Sequence, residues 1–250
     1  MLLNLAISAL AFAVAYWVVR PAVTTSIHWA ARERFGLVHL VAMPALPRAV
    51  AAFLCMDLTF YWWHRLNHQL PALWRFHNVH HTDPVLAAST SFRFHFGEVA
   101  LSALFRAAQV TAIGIGFRTY AAYELAFQLN TLFHHSNLRL PIRVERLLNR
   151  VLVTPRMHGI HHSQVREENL SNFSVVIPWW DLLHRTLRLN VPQARLVIGV
   201  PGYSGPDDNR FRQLLGMPFR RQRDYWRRPG GGAVERDPAE RGPNPWRLEE

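Results

Sequence analysis

The chain contains no lysine: all 28 basic residues among its 250 are arginine, set against 17 acidic ones, for a formal net charge of +11. An all-arginine balance points to a GC-rich bacterial genome. A positive excess suits nucleic acid, an anionic membrane surface or an acidic protein. No nucleic-acid partner is expected, because the arginines are scattered among apolar stretches and no recognised binding module is present. Cysteine is almost absent as well. The single Cys55 excludes an intrachain disulfide framework and a cysteine-based zinc site, so any metal must be held by histidine or carboxylate. There is also no HExxH sequence, no His-Pro-Gly-Gly haem box, no flavin or nicotinamide fingerprint and no repeat of fold length.

Apolar residues are abundant, at 50% of the chain. Residues 1–19, "MLLNLAISALAFAVAYWVV", carry no charged side chain, and at 1.5 Å per residue they cover about 28 Å, close to a bilayer's hydrocarbon thickness. Tyr16, Trp17 and then Arg20 close the stretch as interface anchors would. It reads as a membrane span and not as a cleaved signal peptide, since it has neither a basic leading region nor a clear small-residue cleavage site. Residues 37–63 are apolar but broken by Pro44, Pro47 and Arg48, which predicts a surface-lying piece leading into a second span that ends near "FYWW". Residues 98–117 and 119–138, separated by Arg118, read as a helical hairpin. Asp57, Arg106 and Glu124 fall inside these spans, where a charge is costly unless it faces a partner or a wet cavity. The competing reading is a water-soluble helical protein with the same helices as its core.

The fold expected is therefore an all-α membrane protein, with about four transmembrane or membrane-embedded helices under a His-rich helical cap. The cap is formed by residues 64–97 and 139–190. It holds Arg65, Arg75, Arg93, Arg139, Arg143, Arg146, Arg150 and Arg156, and arginine-rich short loops stay cytoplasmic, so the cap is expected on the cytoplasmic side of a bacterial inner membrane. Arg20, Arg32 and Arg34, expected in a loop after the first span, argue the other way. The domain reading is a membrane-embedded unit over 1–190, an extension over 191–220 and a disordered, Pro/Gly/charge-rich tail over 221–250.

The histidines cluster. "HRLNH" puts His64 and His68 at i and i+4, one face of a helix. "HNVHH" puts His77, His80 and His81 at i, i+3 and i+4, and "HGIHH" repeats the pattern with His158, His161 and His162. Neutral imidazole binds iron, zinc and copper, and i, i+4 spacing lets two rings converge on one ion. Eight or more such nitrogens exceed what one tetrahedral zinc uses, which favours two metal ions with four or five nitrogens each. His28, His39 and His184 stand apart and read as ordinary hydrogen-bonded side chains.

The order HxxxH, HxxHH, HxxHH, with the surrounding "DLTFYWWHRLNH", "LWRFHNVHH", "SFRFHFGE", "FHHSN", "TPRMHGIHH" and "WWDLLHRT", resembles the fatty acid hydroxylase/sterol desaturase superfamily of integral-membrane di-iron oxidases. The likeness runs from about residue 57 to 186. It implies helical membrane hairpins under a cytosolic cap and two irons held by histidine, with zinc as a replacement. O2 is the implied oxidant, and a membrane lipid (a sterol, fatty acyl lipid or related isoprenoid) is hydroxylated or desaturated. The implied ligands are His64, His68, His77, His80, His81, His158, His161 and His162, together with His134 or His135 from "FHHSN". His135 fits the His-Ser-Asn wording; His134 fits a His-x-x-x-His box whose first position is here Asn130. His95, Asn172 and Asp181 are implied on the second layer or the substrate side. "NFS" and "WDLLHRT" depart from the family's Asn-Tyr-Gly and Trp-Asp-x-x-Phe-Gly-Thr wording. Phe92, Phe94, Phe96 and the run 60–63 are candidates to shape the substrate's way in. Electrons are expected from a separate ferredoxin or cytochrome b5-like donor docked on the arginine-rich cap. The alternatives are a membrane zinc hydrolase, which normally needs three ligands and a nearby Glu base, and a non-enzymatic bis-His haem protein, which would leave most of the histidines idle.

Overall fold

A computed structural model describes residues 1–240. Its regular structure is helical throughout, with no strand among the described residues beyond isolated bridges such as Ser163 with Ile198. The first rod is longer than the sequence suggests. Helix α1 (Leu2–Val14) passes through a π-helical turn (Ala15–Val19) into α2 (Arg20–Glu33) without a break. Pro21 stands just after the wide turn. A proline ring clashes with the carbonyl four residues back in a regular α ladder, and a π turn relaxes that ladder. Arg20 and Arg32 therefore lie on a helix and not in the expected loop, and Arg34 is its left-handed C-cap, at φ 50°.

Helix α3 (Ala45–Gln69) begins behind Pro44 and runs past "FYWW" to carry His64 and His68. Leu70 is extended, as a residue before proline must be, and Pro71 opens α4 (Pro71–His81). The expected hairpin forms from α5 (Phe96–Ile113) and α6 (Phe117–His134). Its turn falls at residues 114–116, between two glycines, so Arg118 belongs to α6. Gly114 takes φ +75° and backs onto Gly36, at φ +113°; a Cβ on Gly36 would sit 2.4 Å from the Gly114 nitrogen. Only glycine lets the ends of α2 and α5 meet this closely.

Helix α5 packs along α1, α2 and α3, while α3 and α6 pack together below the cap. Val23, Ile27, Met56, Val110, Tyr123 and Phe127 form the shared core. Outward, Leu5, Phe12, Trp17, Leu104, Leu125 and Leu129 are exposed. The segment Leu2–His39 and helix Phe96–Ile113 are long and apolar enough to cross a membrane. An all-α membrane-embedded fold over a buried histidine cluster is thus the architecture, with four long rods in place of four matched spans.

Short helices build the cap: α7 (Ile142–Leu148), α8 (Pro155–His161), α9 (Arg166–Asn169) and α10 (Trp179–Leu183), followed later by α11 (Phe211–Gly216). The segment from Arg221 departs from the expected disorder as far as residue 240. Trp226 stacks on Trp74 with ring centres 6.0 Å apart, and the Arg236 guanidinium pairs with the buried Glu168 carboxylate. Its few apolar and arginine residues are spaced to reach the cap individually, which a test for periodicity does not register. Residues 241–250 of that tail lie outside the described residues.

Candidate metal centre and lipid cavity

Nine imidazoles from four segments converge in two groups. His64, His68, His77, His81 and His161 form one; His80, His135, His158 and His162 form the other, with the candidate ligand atoms of each group within 4.8 Å of one another. All nine are buried. The split follows helix geometry. Residues i and i+4 differ by about 40° around a helix, whereas i+3 and i+4 differ by about 100°. Accordingly the i, i+4 pairs His64/His68 and His77/His81 serve the first group, and His158/His162 serves the second. The middle histidine of each HxxHH turns to the opposite group: His80 to the second, His161 to the first.

Fixed protons aim the rings. Nδ1 of His64 donates to the Phe173 carbonyl at 2.8 Å, and Nδ1 of His161 donates to the Ser171 carbonyl at 2.7 Å. Nδ1 of His77 faces Glu98 Oε1 at 2.8 Å, and Nδ1 of His135 faces the Thr131 carbonyl at 2.8 Å. Asn169 donates through Nδ2 to the His161 carbonyl, which sets its amide so that Oδ1 accepts from His68 Nδ1 at 3.0 Å. Asn169 Nδ2 also lies 3.2 Å from His81 Nδ1. With Nδ1 carrying the proton, Nε2 presents a lone pair. The Nε2 atoms of His68, His77 and His161 are buried with no hydrogen-bond partner among the described residues, as is that of His81, whose Nδ1 instead accepts from Asn169.

In the second group Nε2 atoms crowd one another: His80 to His135 at 3.1 Å, His135 to His158 at 2.9 Å, and His158 to His162 at 3.0 Å. An imidazole nitrogen has one proton or one lone pair, so the shared nitrogens of His135 and His158 cannot make two full hydrogen bonds each. Ligands about 2.0–2.1 Å from one ion in a tetrahedron stand roughly 3.3 Å apart, close to the spacing seen. The donor set therefore fits two borderline metal ions, iron or zinc, bound by nitrogen alone. Burial, reinforced by neighbouring imidazoles, pushes the pKa of His80, His81, His158 and His162 well below the ordinary 6.5, as burial does for His161, so the neutral, metal-binding form is the resident one. Rings packed face to face, such as His81 on His162 at 4.1 Å, leave no slot for a haem plane.

Of the two candidates in "FHHSN", His135 joins the second group. His134 is buried beside it, its ring 3.9 Å from that of His158 and its Nδ1 3.4 Å from Asn130 Nδ2, but it belongs to neither group. Asn130, where a further ligand was sought, instead donates to the Val175 carbonyl at 2.6 Å. Asp181 and Asn172 act on the backbone behind the ligands. Asp181 accepts from the amides of Phe173 and Ser174, both at 2.8 Å, and so fixes the carbonyl that holds His64. Asn172 takes the left-handed conformation at φ 54° and ties Met157 to Arg188 through both ends of its amide. His95 is neither on the second layer nor on the substrate side. It caps α5 by accepting from the Gly97 amide at 3.0 Å, and it packs on Phe76 and Phe219. Glu98 and Asn169 escaped sequence reasoning. Their signal was present only as the Glu of "RFHFGE" and as an Asn eight residues after His161.

Beside the imidazoles lies a small pocket of about 60 Å³, and adjoining it a larger cavity of about 330 Å³. Phe60, Trp63, Phe94, Glu98, Phe127 and Thr131 line both, so the two spaces share a wall. The outer cavity runs between α1, α2, α5 and α6, and Phe92 lines it as well. Phe96, Tyr61 and Trp62 do not line either space.

No solved structure matches the chain. Among curated proteins it is 26% identical over 179 residues to ornithine lipid hydroxylase OlsE of Rhizobium tropici, covering 72% of this chain and 52% of that one. It is 27% identical over 136 residues to alkylglycerol monooxygenase of Homo sapiens (54% and 29%), and 30% identical over 144 residues to Protein CER1-like 1 of Arabidopsis thaliana (52% and 22%). The chain thus spans about half, or less, of the length of these relatives. The fatty acid hydroxylase family model matches residues 49–186, over half of the chain and all nine grouped histidines, and the chain belongs to that family.

Proposed function

We propose that the protein is an O2-dependent oxidase of a membrane lipid. One iron is assigned to His64, His68, His77, His81 and His161, and the other to His80, His135, His158 and His162. The reading rests on one observation: two all-nitrogen donor groups converge at the inner end of an apolar cavity that opens among the membrane-embedded helices. Two irons in such a site supply O2 activation and hydrogen abstraction from an unactivated C–H bond. The chain's own residues do the rest. Phe60, Trp63, Phe94 and Phe127 exclude water and hold the alkyl chain, while Glu98 and Asn169 keep the imidazoles aimed.

Hydroxylation is favoured over desaturation, since bound irons would supply an oxygen atom to the carbon that loses hydrogen unless the pocket suppressed it. Two of the relatives are named as a lipid hydroxylase and a monooxygenase, which supports the same choice. The balance is one O2, two electrons and two protons per alcohol and water formed. The electrons come from a separate ferredoxin or cytochrome b5-like donor, for which the arginine-rich cap provides an acidic partner's complement. On this reading the cap faces the cytoplasm from a bacterial inner membrane, and reporter fusions after residues 140 and 250 should give cytoplasmic signals. Incubation of membranes with ¹⁸O2 and a reducing system tests the reaction. Label in a new hydroxyl is expected; an unlabelled double bond would point to desaturation, and turnover without O2 would end the proposal.

A further inference from the structure

Arg106 on α5 and Glu124 on α6 form an ion pair at 2.6 Å, mostly buried, on the wall of the larger cavity. Taking two charges out of water is costly, and a well-packed apolar pair in their place is often no less stable. A charged pair placed in membrane-embedded helices is a sign of function, particularly when it faces a cavity. This one does, with Tyr120 and Gln128 on the same wall one turn to either side of Glu124. Its position relative to the metal centre is defined. The Arg106 guanidinium carbon lies 5.2 Å from the Phe60 ring centre and 5.8 Å from that of Phe127, and these two rings, 4.6 Å apart, also line the pocket of the imidazoles. One aromatic layer separates the ion pair from the histidines.

We infer that Arg106 and Glu124 form the polar subsite of the lipid cavity. This subsite binds a neutral group that accepts and donates a hydrogen bond through one atom, a hydroxyl. The inference rests on the oxidase reading above and deepens it. The hydroxyl oxygen accepts from the Arg106 guanidinium and its O–H donates to the Glu124 carboxylate, so the pair is satisfied without being separated. With that group held against Phe60 and Phe127, the carbons a few bonds along the chain reach the imidazole pocket. Oxidation then falls near the polar group and not at the far end of the chain.

The test uses the metal-loaded full chain in lipid nanodiscs with two radiolabelled probes of similar length, 1-heptadecanol and octadecane. The wild-type protein should retain the alcohol at least about tenfold over the alkane, since a site built to hydrogen-bond a ligand rejects an analogue lacking the group. Arg106→Leu/Glu124→Leu removes both charges together; its preference should fall to parity, with octadecane retention and metal content unchanged. If that variant does not insert, Arg106→Met/Glu124→Met removes the same two charges with unbranched side chains, and it too should lose the preference. Equal retention of the two probes by the wild-type protein, or a variant that keeps the preference, overturns the subsite. Preferential alcohol retention with no oxidised product from any lipid would overturn the oxidase reading while leaving the subsite standing.

Discussion

His158 Nε2 lies 2.9 Å from His135 Nε2, and each of these nitrogens has a second imidazole nitrogen at 3.0 Å or 3.1 Å. Four imidazole nitrogens at that spacing around one point match the ligand set of a single cation. The protein purified from iron-replete cells should therefore contain two non-haem iron ions per chain by elemental analysis. His135→Ala should lower the content toward one, whereas His134→Ala, outside both groups, should keep two. One metal or none in the wild-type protein would refute the assignment.

Glu98 is the only carboxylate among the described hydrogen-bond partners of the nine imidazoles, and it holds the ring of His77. Partners of this kind fix ring orientation and raise ligand basicity, and their loss typically costs about 10–100-fold in metal affinity. Glu98→Leu should lose metal to a chelator at a concentration about tenfold below that needed for the wild-type protein. Glu98→Gln, whose amide oxygen still accepts from Nδ1, should fall between the two. A Leu variant that retains metal like the wild type would assign Glu98 to the cavity wall alone.

Single substitutions at His77, His80, His158 or His161 to Ala should abolish lipid oxidation while membrane insertion, read by fractionation, persists, because each removes one nitrogen from the cap and none from the helical rods. His184→Ala should keep most of the activity. Its ring stacks on Tyr61 at 4.8 Å and its Nδ1 bonds the Trp180 carbonyl, away from both groups. A fully active His80→Ala enzyme would exclude His80 as a ligand.

The ligand boxes were legible in the sequence because i, i+3, i+4 spacing already fixes which imidazoles share a helix face. How the boxes divide was not. That the middle histidine of each HxxHH crosses to the other group depends on how α3, α4 and α8 face one another, which local spacing does not encode. The same limit hid Asn169, whose partners His68 and His81 are 101 and 88 residues away. His95 misled through its neighbours in "RFHFGE", since a helix cap and a ligand look alike until the position of the helix is known. The continuation of α1 into α2 was obscured by Arg20 and Pro21, which usually mark an end. The packing of residues 221–240 rests on isolated contacts such as Arg236 with Glu168, and composition does not report those.

Acid should release the metal and loosen the cap together. His80, His81, His158, His161 and His162 have folded-state pKa values held well below the ordinary 6.5, burial being the first cause in each case. In the unfolded chain these groups take up protons as the pH drops through about 6.5, while in the folded chain they do not. The unfolded state therefore binds more protons below that pH, and folding stability falls as the pH falls. Each histidine contributes on the order of 1 kcal/mol per pH unit there, and the effect vanishes above about pH 7.5. Metal binding has the same sign, since only neutral imidazole binds an ion. The unfolding temperature of metal-free protein in detergent should be flat from pH 8.5 to about 7.5 and decline steeply below about 6.5. The metal-loaded protein should hold its unfolding temperature to lower pH and then lose ions and stability in one step. A metal-free protein whose unfolding temperature rises between pH 7 and 5.5 would mean that the imidazoles are protonated in the folded state, and the lone-pair geometry would have to be abandoned.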